Sequence, residues 1–338
     1  MTERTDVLRA MIEECLEEDI EPYLESIGLP LTERPFRASL EFAETYFQWI
    51  NEGNEEICKI DDFSDYAASP EFRIIYRHVE NWYKGRFGNA LVKKNSAIKG
   101  VVMIYGVPFV IKMPTTVVRP GKVGEANLYE SIWVRIPSSV LDSEDIYSWV
   151  VDPPNFLAMK SEVKIDLERD VREIASALRS IRTNFMGAGG EGETLGLQKG
   201  TICHLETFVD YIFSQDSTSI QKAYWELQMA CETAFKAVSK YKTGKFRETH
   251  DLFSLYDDVN AIVPLSISRD ILKSLPRWKE TTVLRYAVGS RENLKDCFNC
   301  YLTTLRILKA LVEDARLGGI QGLGSAEFEI GCPPWFGT

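Results

Sequence analysis

The sequence predicts a mostly α-helical chain that carries one small antiparallel sheet. Two observations lead there. Over most of the length, apolar residues recur at steps of three and four, the period of a helix with one buried face. Between about residues 100 and 136 the pattern changes to short apolar runs broken by glycine and proline, the mark of strands and tight turns.

Leu8, Met11, Ile12, Cys15, Leu16, Ile20 and Ile27 mark a first helix, closed by Gly28 and Pro30. Thr32 opens a second, with Phe36, Leu40, Ala43, Phe47 and Ile50 on its face. Ser69-Pro70 is an N-cap and first-turn pair for a third, lined by Phe72, Ile75, Tyr76, Val79 and Trp82. Val101–Tyr105 and Phe109–Met113 then flank Gly106-Val107, a glycine-first hairpin turn. Pro120-Gly121 and Gly124 break the chain before a third strand, Asn127–Ile136, and Pro153-Pro154 ends this region. A helix from about Leu157 to Asn184, a glycine-rich loop and a helix near Thr201–Phe213 follow.

The last third holds two long amphipathic helices. The first runs from about Ile220 to Tyr241, with Tyr224, Leu227, Cys231, Ala234 and Val238 on one face, and Gly244 stops it. Thr249 is the expected N-cap of the next helix, with Asp251 in its first turn, where a negative charge suits the helix dipole. The closing helix carries Leu294, Phe298, Tyr301, Leu305, Leu308 and Val312. Neither long helix can bury its stripe alone, so a bundle is expected. The expected organisation is an α+β region over 1–186, a glycine-rich linker over 187–200, a helical bundle over 201–316 and a glycine-rich tail over 317–338.

The order of marks in the bundle resembles the HEPN family of small helical domains, in its non-nuclease, nucleotidyltransferase-associated form. Glu232 and Lys236 in the first long helix, the run Thr249-His250-Asp251-Leu252 and the pair Arg285-Tyr286 before the closing helix carry the resemblance, which covers 219–315, 97 of 338 residues. One family mark is altered, since Ala287 stands where a proline often follows the Arg-Tyr pair. The resemblance implies a helical bundle that binds a nucleotide or a partner. The nuclease members carry an arginine and a histidine four to six residues apart. In the matched segment His250 is the only histidine, and Arg247 is too close to meet that rule. Arg73 and His78 have the spacing but lie outside the segment. A partner nucleotidyltransferase would show Gly-Ser followed by Asp-x-Asp, and no Asp-x-Asp occurs in the chain.

Other motifs carry less. Gly187, Gly189 and Gly192 satisfy G-x-G-x-x-G, but a helix leads into them and Glu191 and Glu193 would repel phosphate, so a linker is the simpler reading. Cys297 and Cys300 form one C-x-x-C with no second pair to complete a zinc site, and read as core thiols. Seven cysteines, an odd and scattered count, fit reduced thiols and a cytoplasmic location. Met1–Arg9 is polar and charged, unlike a signal peptide, and no apolar run approaches the ~18 residues of a membrane span.

The net charge of −11 is uneven: residues 1–60 hold 15 acidic and 5 basic residues, whereas 219–315 hold 15 basic and 12 acidic. That local excess of +3 is too small for an extended nucleic-acid surface but suits a compact anion. Lys236, Lys240, Arg247, His250, Arg285 and Tyr286 are the expected ligand contacts, cations for phosphate and rings for a base. No catalytic residue, metal ligand or cofactor is assigned. The expected function is therefore non-enzymatic binding of a nucleotide or small anionic ligand, or of a partner. A divergent HEPN ribonuclease of a toxin or defence setting, and a structural module that forms homodimers through the bundle, are the alternatives.

Overall fold

The computed structural model describes residues 2–53, 70–91, 97–122, 131–188, 191–286, 293–317 and 325–331. The fold is mostly α-helical with a small antiparallel sheet. It divides into two compact units, one of residues 1–96, 118–134 and 328–338, the other of 97–117 and 135–327.

In the first unit, α1 (Thr2–Cys15) continues through one π-helical turn, Leu16–Ile20, into α2 (Glu21–Ser26). The widened turn has a local cause. Pro22 has no N–H to give the preceding turn, and it is accommodated at the start of the new α segment. Gly28, at φ 69°, then ends the helix in the left-handed region. Helices α3 (Arg34–Gly53) and α4 (Pro70–Phe87) close its helical core of Ile12, Leu16, Leu24, Phe42, Phe72, Val79 and Tyr83. Ile27, expected on the first stripe, is exposed. Glu21 accepts hydrogen bonds from Arg34 Nη1 at 2.5 Å and from the Tyr83 hydroxyl, tying three helices to one carboxylate. Burial, reinforced by that carboxylate, pushes the Tyr83 phenol far above its ordinary pKa. Ser69 and the side chains of Phe47 and Ile50 lie outside the described residues.

The second unit begins with a hairpin of β1 (Ile98–Ile104) and β2 (Val107–Met113), paired from Ile98↔Met113 to Ile104↔Val107. The loop is therefore Tyr105-Gly106, one residue earlier than the glycine-first turn expected from the sequence. Both loop residues have positive φ, 51° and 80°, as a type I′ turn requires. Helix α5 (Ser161–Gly187) lies tight on β1, where a Cβ at Gly100 would come within 3.0 Å of the Leu178 and Ile111 side chains. Then follow α6 (Gly192–Ser214), α7 (Ser217–Thr243), α8 (Leu252–Ile262), α9 (Trp278–Arg285) and α10 (Leu294–Ala315). Helix α7 packs on α6, α8, α9 and α10, while α5 packs on both the hairpin and α10.

One buried core joins all of these elements, from Val101 and Ile111 through Ile174 and Leu178 to Leu227, Phe235 and Leu308. The expected break between 186 and 201 is thus absent from this unit: the hairpin and α5 share a core with the helices that follow. The expected linker is corrected as well, because from Gly192 onward it is helix. Leu197 and Gln198 turn inward, and Thr201 Oγ1 meets Thr233 Oγ1 of α7 at 3.0 Å. This packing outweighs the helix-breaking tendency of Gly192, Gly196 and Gly200.

A buried ion pair pins α5 to the segment before it. Arg179 donates to both oxygens of Glu144 at 2.6 Å and to the carbonyls of Ser139 and Pro114 at 3.0 Å. Its guanidinium also lies 5.0 Å over the Trp149 ring.

A second sheet has the order β3 (Val117–Pro120), β4 (Ser131–Pro137), β5 (Ser325–Gly331). Strand β5 falls within the glycine-rich tail expected over 317–338. Its Glu327-Phe328-Glu329-Ile330 alternation is the period of a strand. Residues 127–130 of the expected third strand lie outside the described residues.

Candidate functional site

The candidate site is built on one face of α7. Asp216 caps the helix, accepting from the Ser219 N–H at 2.9 Å, and Gly244 ends it at φ 77°. Trp225, Gln228, Glu232, Lys236 and Ser239 follow at steps of three and four, so they share a face. This polar stripe holds down the segment between α7 and α8. Ser239 Oγ donates to the Lys245 carbonyl at 3.1 Å, and Gln228 Nε2 donates to the His250 carbonyl at 3.2 Å. The ammonium groups of Lys236 and Lys240 lie 5.5 and 5.8 Å over the Phe246 ring. Helix α8 starts two residues later than the sequence suggests. Asp251, not Thr249, is its N-cap, accepting from the Ser254 N–H at 3.1 Å, while Thr249 Oγ1 accepts from the Asp251 N–H.

Glu232 anchors the stripe. Its carboxylate is 3% exposed and accepts from Lys236 Nζ at 2.7 Å. His250 Nδ1 stands 3.0 Å from both of its oxygens. A bare nitrogen lone pair facing two carboxylate oxygens would be repelled, so Nδ1 carries a proton and donates. The His250 ring lies flat on Trp278, centroids 3.9 Å apart and planes 9° apart. Trp278 meets Trp225 at 5.3 Å. The Arg285 guanidinium then lies 4.9 Å over Trp225 and 5.8 Å from the Tyr286 ring. Trp278 and Arg285 are two turns apart on α9 and therefore on one side of it. The result is a continuous ladder of contacts: Lys236, Glu232, His250, Trp278, Trp225, Arg285, Tyr286.

Four of the six expected contact residues, Lys236, His250, Arg285 and Tyr286, belong to this ladder, and Lys240 joins Lys236 through Phe246. Arg247 stands apart, paired with Asp258 at 2.6 Å. The charges are not equally available. Lys236 is paired with Glu232, Lys240 with Glu193 at 2.8 Å and Arg247 with Asp258. Among the described residues Arg285 has aromatic neighbours and no carboxylate. Arg285 and Tyr286 are both exposed, and half of the His250 side chain is. The in-plane N–H groups of a guanidinium can grip two oxygens of one anion.

Sequence reasoning missed Trp225, which sits off the apolar stripe of α7 like any partly exposed residue. It also missed a second histidine–carboxylate pair, His204 Nδ1 to Glu226 Oε2 at 2.6 Å, whose members lie on α6 and α7 with no local signal to join them. The Cys297-x-x-Cys300 thiols are buried and face the carbonyls of Ile220 and Ser274. Burial pushes the Cys297 thiol well up, so it stays protonated. Of the Gly187, Gly189 and Gly192 set, Gly187 closes α5 and Gly192 opens α6, so a helix leads in and no strand does; Gly189 lies outside the described residues. His78 lies on α4, its pKa lowered by burial and by the nearby Arg9 and Arg77.

Among the described residues no helix is long and apolar enough to cross a membrane. Comparison of the chain with protein-family models, with curated proteins and with solved structures found no match.

Proposed function

We propose that this protein is a HEPN-like helical bundle that binds a nucleotide or another small anionic ligand, without catalysis, on the face formed by α7, α9 and the residues around His250. One observation carries the reading. Arg285 presents an exposed guanidinium beside Trp225 and Tyr286 that no described carboxylate neutralises. An unneutralised guanidinium beside aromatic rings is the pairing that phosphate and base require together. The ordered marks Glu232, Lys236, Thr249-His250-Asp251-Leu252 and Arg285-Tyr286 support the family reading, because all but Thr249, Asp251 and Leu252 are members of one ladder of contacts.

One charge-assisted bidentate contact contributes about 1.5–3 kcal/mol when shielded from water. With base stacking added and the cost of ordering removed, micromolar to millimolar affinity is expected. Calorimetry with ATP, GTP and a short oligonucleotide, repeated on Arg285→Ala, tests the proposal. Binding that the substitution weakens at least tenfold is expected. Absence of heat at millimolar ligand, or equal binding by the variant, would refute it.

A further inference from the structure

The ion pairing on this face restricts what the ligand can be. Four cations were expected to meet it, and three are already spent within the protein: Lys236 on Glu232, Lys240 on Glu193, Arg247 on Asp258. That leaves one guanidinium, Arg285, with Trp225 at 4.9 Å and Tyr286 at 5.8 Å from its central carbon. Its planar fork of N–H groups matches two oxygens of a single phosphate group. Each further phosphate of a polyphosphate brings more negative charge with no free cation of the ladder to receive it. Such charge stays in water. Lys279, on α9, is not a member of the ladder. It follows Trp278 by one residue and so projects about 100° round the helix from it.

The rest of the face is ring surface. Tyr286 is 68% exposed, and the joined rings of His250, Trp278 and Trp225 continue from the guanidinium. An exposed aromatic ring next to an anion grip suits a ligand whose planar group lies a few ångströms from its phosphate.

We propose that the ligand carries one phosphate and one planar ring, as a nucleoside monophosphate does, and that the face does not favour a nucleoside triphosphate over it. This rests on the anion-binding reading above and narrows it. It inverts the usual expectation that more phosphates bind a basic site more tightly.

The test is calorimetry on the full chain in magnesium-free buffer at constant ionic strength, with AMP, ATP, adenosine and inorganic phosphate as separate titrants. The expected result is AMP at least as tight as ATP to within threefold, with adenosine and phosphate each at least tenfold weaker than AMP. Arg285→Ala should abolish the difference between AMP and adenosine. Tyr286→Ala, at an exposed position that does not disturb the core, should weaken AMP and leave phosphate unchanged. ATP more than threefold tighter than AMP would overturn the single-phosphate inference while the anion-binding reading stood. Phosphate as tight as AMP would overturn the part played by the ring. No heat from any of the four at millimolar concentration would overturn both the inference and the reading on which it rests.

Discussion

Replacing Arg179 by methionine should be among the most damaging single changes in the second unit. The arginine side chain is 1% exposed and its partner Glu144 is 6% exposed. Arg179→Met keeps most of the stem volume but removes four hydrogen bonds: two to Glu144, one to Ser139 O and one to Pro114 O. Glu144 is left buried with the Leu141 N–H, at 2.9 Å, as its remaining partner. Breaking a buried pair from one side costs about 3–5 kcal/mol, most of it the stranded charge. Removing both charges is a different matter, since a buried pair returns in attraction little more than it loses in desolvation. Arg179→Met/Glu144→Leu should therefore cost no more than about 2 kcal/mol, although the two single changes summed would cost several times that. Urea unfolding followed by circular dichroism measures all three variants. A loss under about 1 kcal/mol for Arg179→Met, or a double variant as unstable as the sum of the singles, would show that the pair does not hold α5 as described.

Further expectations follow from other elements. A fragment of residues 205–316 should be poorly packed, because it lacks the α5 and hairpin residues Ile174, Leu178 and Ile111 that share its core, whereas 97–327 should retain its native helix content; equal near-ultraviolet circular dichroism for the shared aromatics in both fragments would contradict this. The carboxylate of Asp216 is held at about 2 by the Ser219 hydroxyl and N–H and by the Ser214 hydroxyl. A depressed folded pKa contributes stability above the unfolded value near 4 that is lost as pH falls through 2, so the melting-temperature deficit of Asp216→Ala should shrink across that window. A deficit that stayed constant with pH would refute the assignment. Tyr105 sits at φ 51° with its ring 62% exposed, so Tyr105→Asn should raise stability by about 1 kcal/mol in chemical denaturation, and a loss would mean the ring has a packing role.

Helices were legible wherever one stripe of apolar residues could be buried, as in α7 and α10, because that period is written locally. Features set by distant contacts were not. Gly192 to Gly200 reads as a linker until the fold buries Gln198, packs Leu197 on the core and brings Thr201 to Thr233 of another helix. The hairpin loop shifted by one residue because Tyr105 takes a left-handed conformation that tyrosine seldom adopts, and the strand register decides it. At the site, residue types were readable and their availability was not. Lys236, Lys240, Arg247 and Arg285 look alike as cations in the sequence. Which of them is neutralised depends on Glu232, Glu193 and Asp258, and only the fold brings these acids within reach. His250 and Glu232 are 18 residues apart, and Trp225 lies 53 before Trp278, so neither the anchoring carboxylate nor the stacked rings could be read as a unit from spacing.

The central claim is that a small anion binds at Arg285, beside Trp225 and Tyr286. The most direct measurement is the set of tryptophan indole N–H signals in a two-dimensional NMR spectrum during titration with AMP. The chain has seven tryptophans, so the site is mapped by which of them respond. The indoles of Trp225 and Trp278 should shift together along one saturating curve, with Trp149, packed against the buried Arg179, unmoved, and Arg285→Ala should remove both shifts. Saturating shifts confined to other tryptophans, or none at Trp225 when AMP is bound, would contradict it.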